Sequence, residues 1–246
     1  MHNVLIYTVS DFKPGSIECI EMLFDNLLKE DNIDLAIICN NEPYKEINQK
    51  IKIIHDNGDN AKRFVGFLKF SEKIPHGYDY YIYLDSDILF FGKSSDLYDF
   101  NFDFSIVREH WVPMTHEWHC YKYRTEEEYD KMSQLNGMNS GTFAFKNRNF
   151  INNIKELYQR YVTNDVMDNI MLEQSSFNYA ICKQLDFRLE KTLDLTDKTT
   201  LFAQDKDFDN EKIIYHFNGF SNQMSPKCAM MKNFYENKYL NNKQSQ

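Results

Sequence analysis

Residues 79–92 decide the fold, and they have the sequence DYYIYLDSDILFFG. The apolar run 80–84 predicts a buried strand, because short continuous apolar runs are typical of strands covered on both faces. Asp85 and Asp87 follow at the carboxyl end of that strand, where open α/β sheets bind their ligands. Hard divalent cations prefer carboxylate oxygens and the phosphate oxygens of a substrate. The pair therefore predicts a Mn²⁺ or Mg²⁺ site, with an acidic turn that only ends the strand as the alternative.

Strand-like and helix-like segments alternate on both sides of this stretch. Before it, the patterns predict strands at 3–9, 34–39 and 51–54 and helices at 16–29 and 61–70. After it, they predict strands at 104–107, 140–146 and 212–217 and helices at 150–161 and 168–182. Strands that alternate with helices pair in parallel through crossover connections. We therefore expect an α/β fold with a mixed, mainly parallel central sheet flanked by helices, in which residues 1–100 form a nucleotide-binding half.

Composition excludes several classes of protein. The net charge of −9 argues against a nucleic-acid-binding protein, because phosphate backbones are bound by clustered Lys and Arg. No run approaches the roughly 18 to 20 apolar residues that an integral membrane segment requires. The five cysteines are odd in number and widely spaced, and no leader-like segment precedes the first predicted strand. A reduced, cytoplasmic protein is expected.

Four segments in this order resemble the GT-A glycosyltransferases, particularly family 8, which includes glycogenin and bacterial galactosyltransferases. They are 79–92, Asn139-Ser140-Gly141, Glu173-Gln174-x-x-x-Asn178 and His216-Phe217-Asn218-Gly219. The segment 173–178 also resembles the blood-group transferases of family 6. The resemblance implies a GT-A, Rossmann-like nucleotide-diphospho-sugar transferase fold over a single domain, 1–246. It also implies that 101–225 binds donor sugar and acceptor, with 226–246 as a tail.

The resemblance implies roles for individual residues as well. Metal ligation is implied for Asp85, Asp87 and His216, and a role at the reacting sugar for Gln174 and Glu173, although the family usually has Asp before this glutamine. Contacts with the donor are expected from Tyr7, Thr8, Asp11, Arg63, Ser86, Asn139, Gly219 and Lys227. Arg63 is favoured over Lys62 and Lys69 as the basic residue of its helix. The spacing from Gly219 to Lys227 departs from the family pattern.

The function implied is Mn²⁺-dependent transfer of a sugar from a UDP-sugar to a carbohydrate, protein or lipid acceptor. Retention of anomeric configuration is expected, since Gln174 is a poor general base. The alternatives are a sugar-nucleotide nucleotidyltransferase, a non-catalytic nucleotide-sugar-binding protein and a phosphatase of the haloacid dehalogenase type. The nucleotidyltransferase lacks support because no Gly-rich basic loop follows the first strand. A homodimer is left open.

Segment 108–138 is rich in His, Trp, Tyr and charge, and we expect a long irregular excursion that covers the site. Its histidines and a cysteine could form a zinc site, an acceptor-binding loop or ordinary surface: His110, His116, His119 and Cys120. Trp111 and Trp118 could stack on an acceptor sugar or pack in the core.

Overall fold

The computed structural model describes residues 3–59, 65–120, 125–162, 166–203, 209, 211–218 and 224–244. Within these ranges the strands are β1 (Val4–Ser10), β2 (Ile33–Cys39), β3 (Ile51–His55), β4 (Tyr80–Leu84), β5 (Ile88–Phe90), β6 (Phe104–Pro113), β7 (Asn136–Phe145), β8 (Leu193–Asp194), β9 (Thr199–Leu201) and β10 (Ile214–His216). The α-helices are α1 (Ser16–Phe24), α2 (Glu117–Cys120), α3 (Glu126–Ser133), α4 (Asn149–Gln159), α5 (Val166–Gln184) and α6 (Met224–Gln244). Short 3-10 helices cover Leu27–Lys29, Val65–Phe70, Ser94–Asp96, Leu189–Lys191 and Thr196–Lys198.

The main sheet has the strand order β3-β2-β1-β4-β7-β6-β8. The first four strands are parallel, β7 is antiparallel to both β4 and β6, and β8 is parallel to β6. Alternate side chains of β1 enter apolar clusters on opposite faces of the sheet, with Leu5 and Tyr7 on one and Val4 and Ile6 on the other. A strand buried on both faces is apolar throughout, which explains the continuous runs in β1 and β4. The predicted α/β class with a mixed, mainly parallel sheet is confirmed.

A second, three-stranded sheet brings the end of the chain to the acidic tripeptide. Its order is β5-β10-β9, and β10 runs antiparallel to β5 in a register that pairs His216 with Ile88. Because β5 begins directly after Asp87, this pairing places His216 beside the two carboxylates. The Phe217 amide donates to the Asp87 carbonyl at 2.9 Å and continues the pairing.

Strand β7 carries a bulge where it passes the site. Opposite β6, Ile106 pairs with Phe143 and Val107 with Asn139, so the residues between Asn139 and Phe143 are displaced from the ladder. Bulges occur frequently next to active sites, where they redirect side chains and backbone groups. Here the Gly141 carbonyl accepts a hydrogen bond from the Asp85 amide at 2.8 Å.

Helix α5 docks on the same strand through Asn178. Its Oδ1 accepts from the Met138 amide at 2.8 Å, and its Nδ2 donates to the Met138 carbonyl at 2.9 Å. This two-point contact, fully buried, fixes the helix against β7. Gln174, one helical turn earlier, is thereby held beside Ser140.

Two predictions about secondary structure need correction or restriction. The helix predicted at 61–70 is a 3-10 helix over Val65–Phe70, and residues 60–64 lie outside the described part of the chain. The irregular excursion predicted at 108–138 was wrong, because β6 continues to Pro113 and two helices precede β7.

Helix α3 begins with a capping box, in which the Glu128 amide donates to Thr125 Oγ1 and the Thr125 amide to Glu128 Oε2. None of the described helices combines the length and apolar character needed to cross a bilayer.

Candidate active site

Asp85, Asp87 and His216 converge at the carboxyl end of β4. One potential ligand atom from each lies within 4.8 Å of the others, and they form the single such group of three among the described His, Cys, Asp and Glu residues. His216 Nε2 lies 3.2 Å from Asp87 Oδ1 and 3.5 Å from Asp85 Oδ2. Two carboxylates and one imidazole are a donor set that suits Mn²⁺ or Mg²⁺, so these residues fit a divalent cation.

Gly141 leaves room for two of these side chains, those of Asp85 and His216. A Cβ atom at this position would lie 2.3 Å from His216 Cε1 and 2.6 Å from Asp85 Oδ2. Real Cβ atoms do not approach other atoms so closely, and here the obstacles are the site's own side chains. Only glycine fits at the third position of the Asn139-Ser140-Gly141 segment without moving the side chains of the site.

Basic side chains balance the carboxylates. Burial alone would raise the pKa of Asp87, but His216 and Lys227 outweigh it and hold that pKa well below its ordinary value. Burial would also raise the pKa of Asp85, and Lys69 followed by His216 lowers it. For His216 burial lowers the pKa, but Asp87 and Asp85 outweigh burial and raise it to about 9. Lys227 Nζ lies 2.5 Å from Asp87 Oδ2.

Lys69 is a buried cation that joins the metal site to helix α5. Its Nζ lies 3.0 Å from Glu173 Oε1 and 3.5 Å from Asp85 Oδ1, and it donates to the Ser140 carbonyl at 3.2 Å. The Tyr83 ring lies under the ammonium at 4.8 Å, and the Tyr83 hydroxyl donates to Asp85. Burial raises the pKa of Glu173, and Lys69 opposes that shift. The sequence placed Lys69 on the correct segment, but it did not single it out.

A cavity of about 760 Å³ opens in front of these groups. Its wall includes the metal-site residues together with Asn139, Glu173, Gln174 and Lys227. The structure thus brings together seven of the predicted site residues from five segments of the chain. Gln174 Oε1 faces the Ser140 amide at 3.4 Å and the Ser140 hydroxyl at 3.3 Å.

A smaller cavity of about 250 Å³ adjoins the acidic tripeptide on the side of β1. Asp11 and Ser86, two of the residues predicted to contact the donor, line it. Tyr7 and Thr8 do not line either of these two cavities, because both are completely buried in β1. The Tyr7 hydroxyl instead donates to the Lys69 carbonyl at 2.8 Å, so Tyr7 supports the segment that carries Lys69. Two further predicted contacts, Arg63 and Gly219, lie outside the described residues.

Aromatic side chains form the outer wall of the larger cavity. Trp111 is 61% exposed and Phe202 is 45% exposed, and their ring centroids are 6.5 Å apart. Phe202 has a φ of 54°, in the left-handed region that costs a residue with a side chain about 1 to 3 kcal/mol. Asn218 Oδ1 accepts from the Phe202 amide at 3.0 Å and stabilises that conformation. Trp118 is half-buried in the same wall.

Among the described residues, no three of His110, His116, His119 and Cys120 form a group that could hold a metal ion. His110 contacts the Asn136 side chain at the surface, whereas His119 is completely buried and contacts Glu109 and Gln174. Within the described residues neither joins a group of three potential metal ligands, so the zinc alternative gains no support. Glu109 and His119 were not predicted as site residues in these roles. The sequence contains no spacing that connects them.

The fold that carries this site is that of the GT-A glycosyltransferases. The galactosyltransferase LgtC, solved in complex with donor and acceptor sugar analogues, superposes with a TM-score of 0.58 at 11% identity, covering 94% of this chain and 95% of LgtC. The bifunctional glycosyltransferase WbbM gives 0.54 at 11% identity, with 95% of this chain matching 50% of WbbM. GlyE from Streptococcus pneumoniae gives 0.50 at 12% identity, with 98% of this chain matching 63% of GlyE. No family profile and no curated protein sequence matches the chain.

Proposed function

We propose that this chain is a Mn²⁺-dependent glycosyltransferase that transfers a sugar from a UDP-sugar with retention of anomeric configuration. The observation that carries the proposal is the convergence of Asp85, Asp87 and His216 on one point beside a large cavity. In a GT-A fold this point lies at the carboxyl edge of the sheet, where nucleotide ligands of open α/β folds bind. The likeness to LgtC, a galactosyltransferase with donor and acceptor analogues bound, supports a donor and an acceptor meeting here.

The two adjoining cavities suggest how the donor lies. The uridine would enter the smaller cavity past Asp11, and the diphosphate would lie at Ser86 and the metal ligands. The sugar would then extend into the larger cavity towards Asn139 and Gln174. A cation bound at the triad would stabilise the negative charge of the departing diphosphate as a Lewis acid.

The chain's own residues contribute charge and position. Lys227, beside Asp87, can place its ammonium against a phosphate oxygen. Lys69 holds the buried Glu173 carboxylate in place and thereby fixes the part of helix α5 that carries Gln174. The Gln174 amide cannot take a proton from an attacking hydroxyl at neutral pH, which favours retention without a side-chain base at that position.

A saccharide acceptor suits the outer wall. Sugar rings present apolar C–H faces that stack on aromatic side chains, and Trp111 and Phe202 offer two exposed rings in the wall of the cavity. Because the same cavity is lined by Asp85, Asp87 and His216, an acceptor stacked on these rings would share it with the donor sugar. Acceptors that are proteins or lipids would reach the site through a sugar or another group of similar size.

Calorimetric titration with UDP, with and without Mn²⁺, tests the donor site directly. We expect tight UDP binding only when Mn²⁺ is present, and we expect Asp87→Asn to abolish it. Asp103→Asn is the control and should leave binding unchanged, because the Asp103 carboxylate is exposed and remote from the site. Preference for a nucleoside triphosphate would favour a nucleotidyltransferase instead. Metal-dependent UDP binding without hydrolysis of any UDP-sugar in a panel would favour a binding protein.

The stereochemical part of the proposal has its own measurement. NMR of the first-formed product, from a donor that the panel identifies, shows the configuration of the new glycosidic bond. The same configuration as in the donor is expected. The opposite configuration would refute retention and leave the assignment as a glycosyltransferase intact.

A further inference from the structure

His119 is an imidazole buried next to the site without any role in the metal centre. Its ring lies against Gly137, where a Cβ atom would be 2.3 Å from ring atoms Cδ2 and Nε2. Two glycines of β7 thus each leave room for an imidazole, Gly137 for His119 and Gly141 for His216. The side chain is 0% exposed, yet it borders the cavity that holds Gln174.

The donors and acceptors around Gln174 determine how its amide is oriented. The Ser140 backbone N–H can only donate, so the atom that faces it at 3.4 Å must be the Gln174 oxygen. The amide nitrogen then faces His119 Nδ1 at 3.3 Å and donates to it. A nitrogen that accepts carries no proton, so His119 has its proton on Nε2.

The Glu109 carboxylate lies beside the protonated Nε2 of His119. Its Oε2 lies 3.2 Å from His119 Nε2, although the N–H is not aligned on the oxygen, and its Oε1 accepts from Asn139 Nδ2 at 2.9 Å. Burial would raise the pKa of Glu109, but His119 and Asn139 outweigh it and lower that pKa. An ionised carboxylate can only accept, so the Nε2 atom that faces it is the ring nitrogen that carries a proton.

The network also reaches the metal site. Asn139 Oδ1 accepts from the Gly141 amide at 2.9 Å, and Gly141 is the residue that leaves room for His216. Glu109 therefore orients two neighbours at once: Asn139 on the bulge of β7 and, through His119, Gln174 on α5. Buried polar side chains that are joined by hydrogen bonds hold one another in a defined arrangement.

We propose that His119, oriented by Glu109, is a positioning residue that holds the Gln174 amide with its oxygen towards Ser140 and its nitrogen towards the imidazole. This inference rests on the proposed function, because it assigns His119 to the reaction through Gln174. Because His119 is completely buried, we assign it a role through Gln174 and no contact of its own with the substrate. Its effect is to fix which atoms of Gln174 face the sugar in the cavity.

Two substitutions separate this role from simple packing. In His119→Asn the new amide oxygen can occupy the position of Nδ1 and still accept a hydrogen bond from Gln174. In His119→Gln the longer side chain places its amide at the position of Nε2, so Gln174 loses its acceptor. We expect kcat for a UDP-sugar to fall about 10-fold in His119→Gln, as for the loss of one oriented hydrogen bond, and to fall less than about 3-fold in His119→Asn. The donor KM should change less than about 2-fold in both. Equal losses in the two variants, or an effect on KM alone, would overturn the proposal.

The ring tautomer gives a measurement that does not depend on activity. In protein labelled with ¹³C and ¹⁵N, long-range ¹H–¹⁵N spectra distinguish a proton on Nε2 from one on Nδ1, and the His119 ring signals are assigned from its own backbone resonances in the wild type. We expect the Nε2–H form, and an Nδ1–H form would refute the proposal even if the His119 variants fail to fold. If the wild type turns over no UDP-sugar, the proposed function fails, while the tautomer still decides whether His119 accepts from Gln174.

Discussion

His216 Nε2 lies 3.2 Å from Asp87 Oδ1, although the two residues belong to distant parts of the chain. The contact results from the antiparallel pairing of β10 with β5, which sets His216 opposite the residue that follows the acidic tripeptide. The close approach has an electrostatic consequence. Asp87 and Asp85 outweigh the effect of burial and raise the pKa of His216 to about 9.

Metal affinity should therefore increase with pH. An imidazole must lose its proton before it can ligate a metal, so below pH 9 each cation bound at the triad displaces a proton from His216. We expect the apparent Kd for Mn²⁺ to fall as pH rises from 6.5 to 9, by up to about 10-fold per pH unit. Calorimetric titrations at several pH values measure this, and His216→Asn should bind more weakly with a flatter profile. A wild-type Kd that is independent of pH would contradict the assignment of His216 as a ligand.

Replacement of Gly141 by Ala should damage the metal site. The new Cβ would lie 2.3 Å from His216 Cε1, so His216 or the bulge must move and the ligand atoms separate. We expect the affinity for Mn²⁺ to fall by about 10-fold or more, a size typical of changes that displace ligands. Gly77→Ala is the matched control, since Gly77 has a φ of +93° but no atom within 4 Å of the new Cβ. That variant should lose about 1 kcal/mol of stability through backbone strain and keep its metal affinity.

Removal of the Lys69 ammonium should destabilise the protein. Lys69→Met leaves the buried Glu173 carboxylate without the cation that lies 3.0 Å away, and breaking a buried pair costs about 3 to 5 kcal/mol. The pKa of Glu173 is already raised by burial, and without Lys69 it rises further. A carboxyl whose folded pKa exceeds its unfolded pKa stabilises the fold at low pH and loses that contribution as pH rises. Urea unfolding should therefore show a deficit that grows with pH.

The exposed Lys73 provides the control for that experiment. Lys73→Met removes the same charge from the neighbouring surface and should change the free energy of unfolding by less than about 0.5 kcal/mol. Equal destabilisation in the two variants, or a deficit in Lys69→Met that shrinks as pH rises, would show that Lys69 does not stabilise the Glu173 carboxylate.

Trp111→Ala should weaken the binding of an acceptor without affecting the binding of the donor. A stacking contact with an exposed ring contributes about 0.5 to 1.5 kcal/mol, which corresponds to about a 2- to 12-fold increase in the acceptor KM. The acceptor for this experiment is a saccharide identified by screening sugars with the wild-type protein. We expect kcat, and the rate at which the donor alone is hydrolysed, to stay unchanged in the variant. Tyr129→Ala is the control, because this ring is 43% exposed on α3 and does not line the cavity. An unchanged acceptor KM would remove Trp111 from the acceptor site.

Part of the site could be predicted because its residues are contiguous. The apolar run of β4 and the carboxylates that follow it define both a strand and the edge at which it ends. Other residues needed the family resemblance: nothing in the residues near His216 distinguishes a ligand from a buried histidine. Nothing in the local sequence shows that Lys69 turns inwards, because lysine side chains are usually solvated. Glu109 and His119 have no characteristic spacing, so their contact with Gln174 could not be predicted.

The sequence by itself determined the alternation of strands and helices and the position of the acidic pair, because local periodicity and the order of elements depend on neighbouring residues. Tertiary structure decided which distant side chains meet there. The pairing of β10 with β5 delivers His216, the bulge of β7 presents Asn139 and Gly141, and the docking of α5 through Asn178 places Gln174. Each depends on packing between segments far apart in the chain, and such contacts leave no periodic pattern in the sequence.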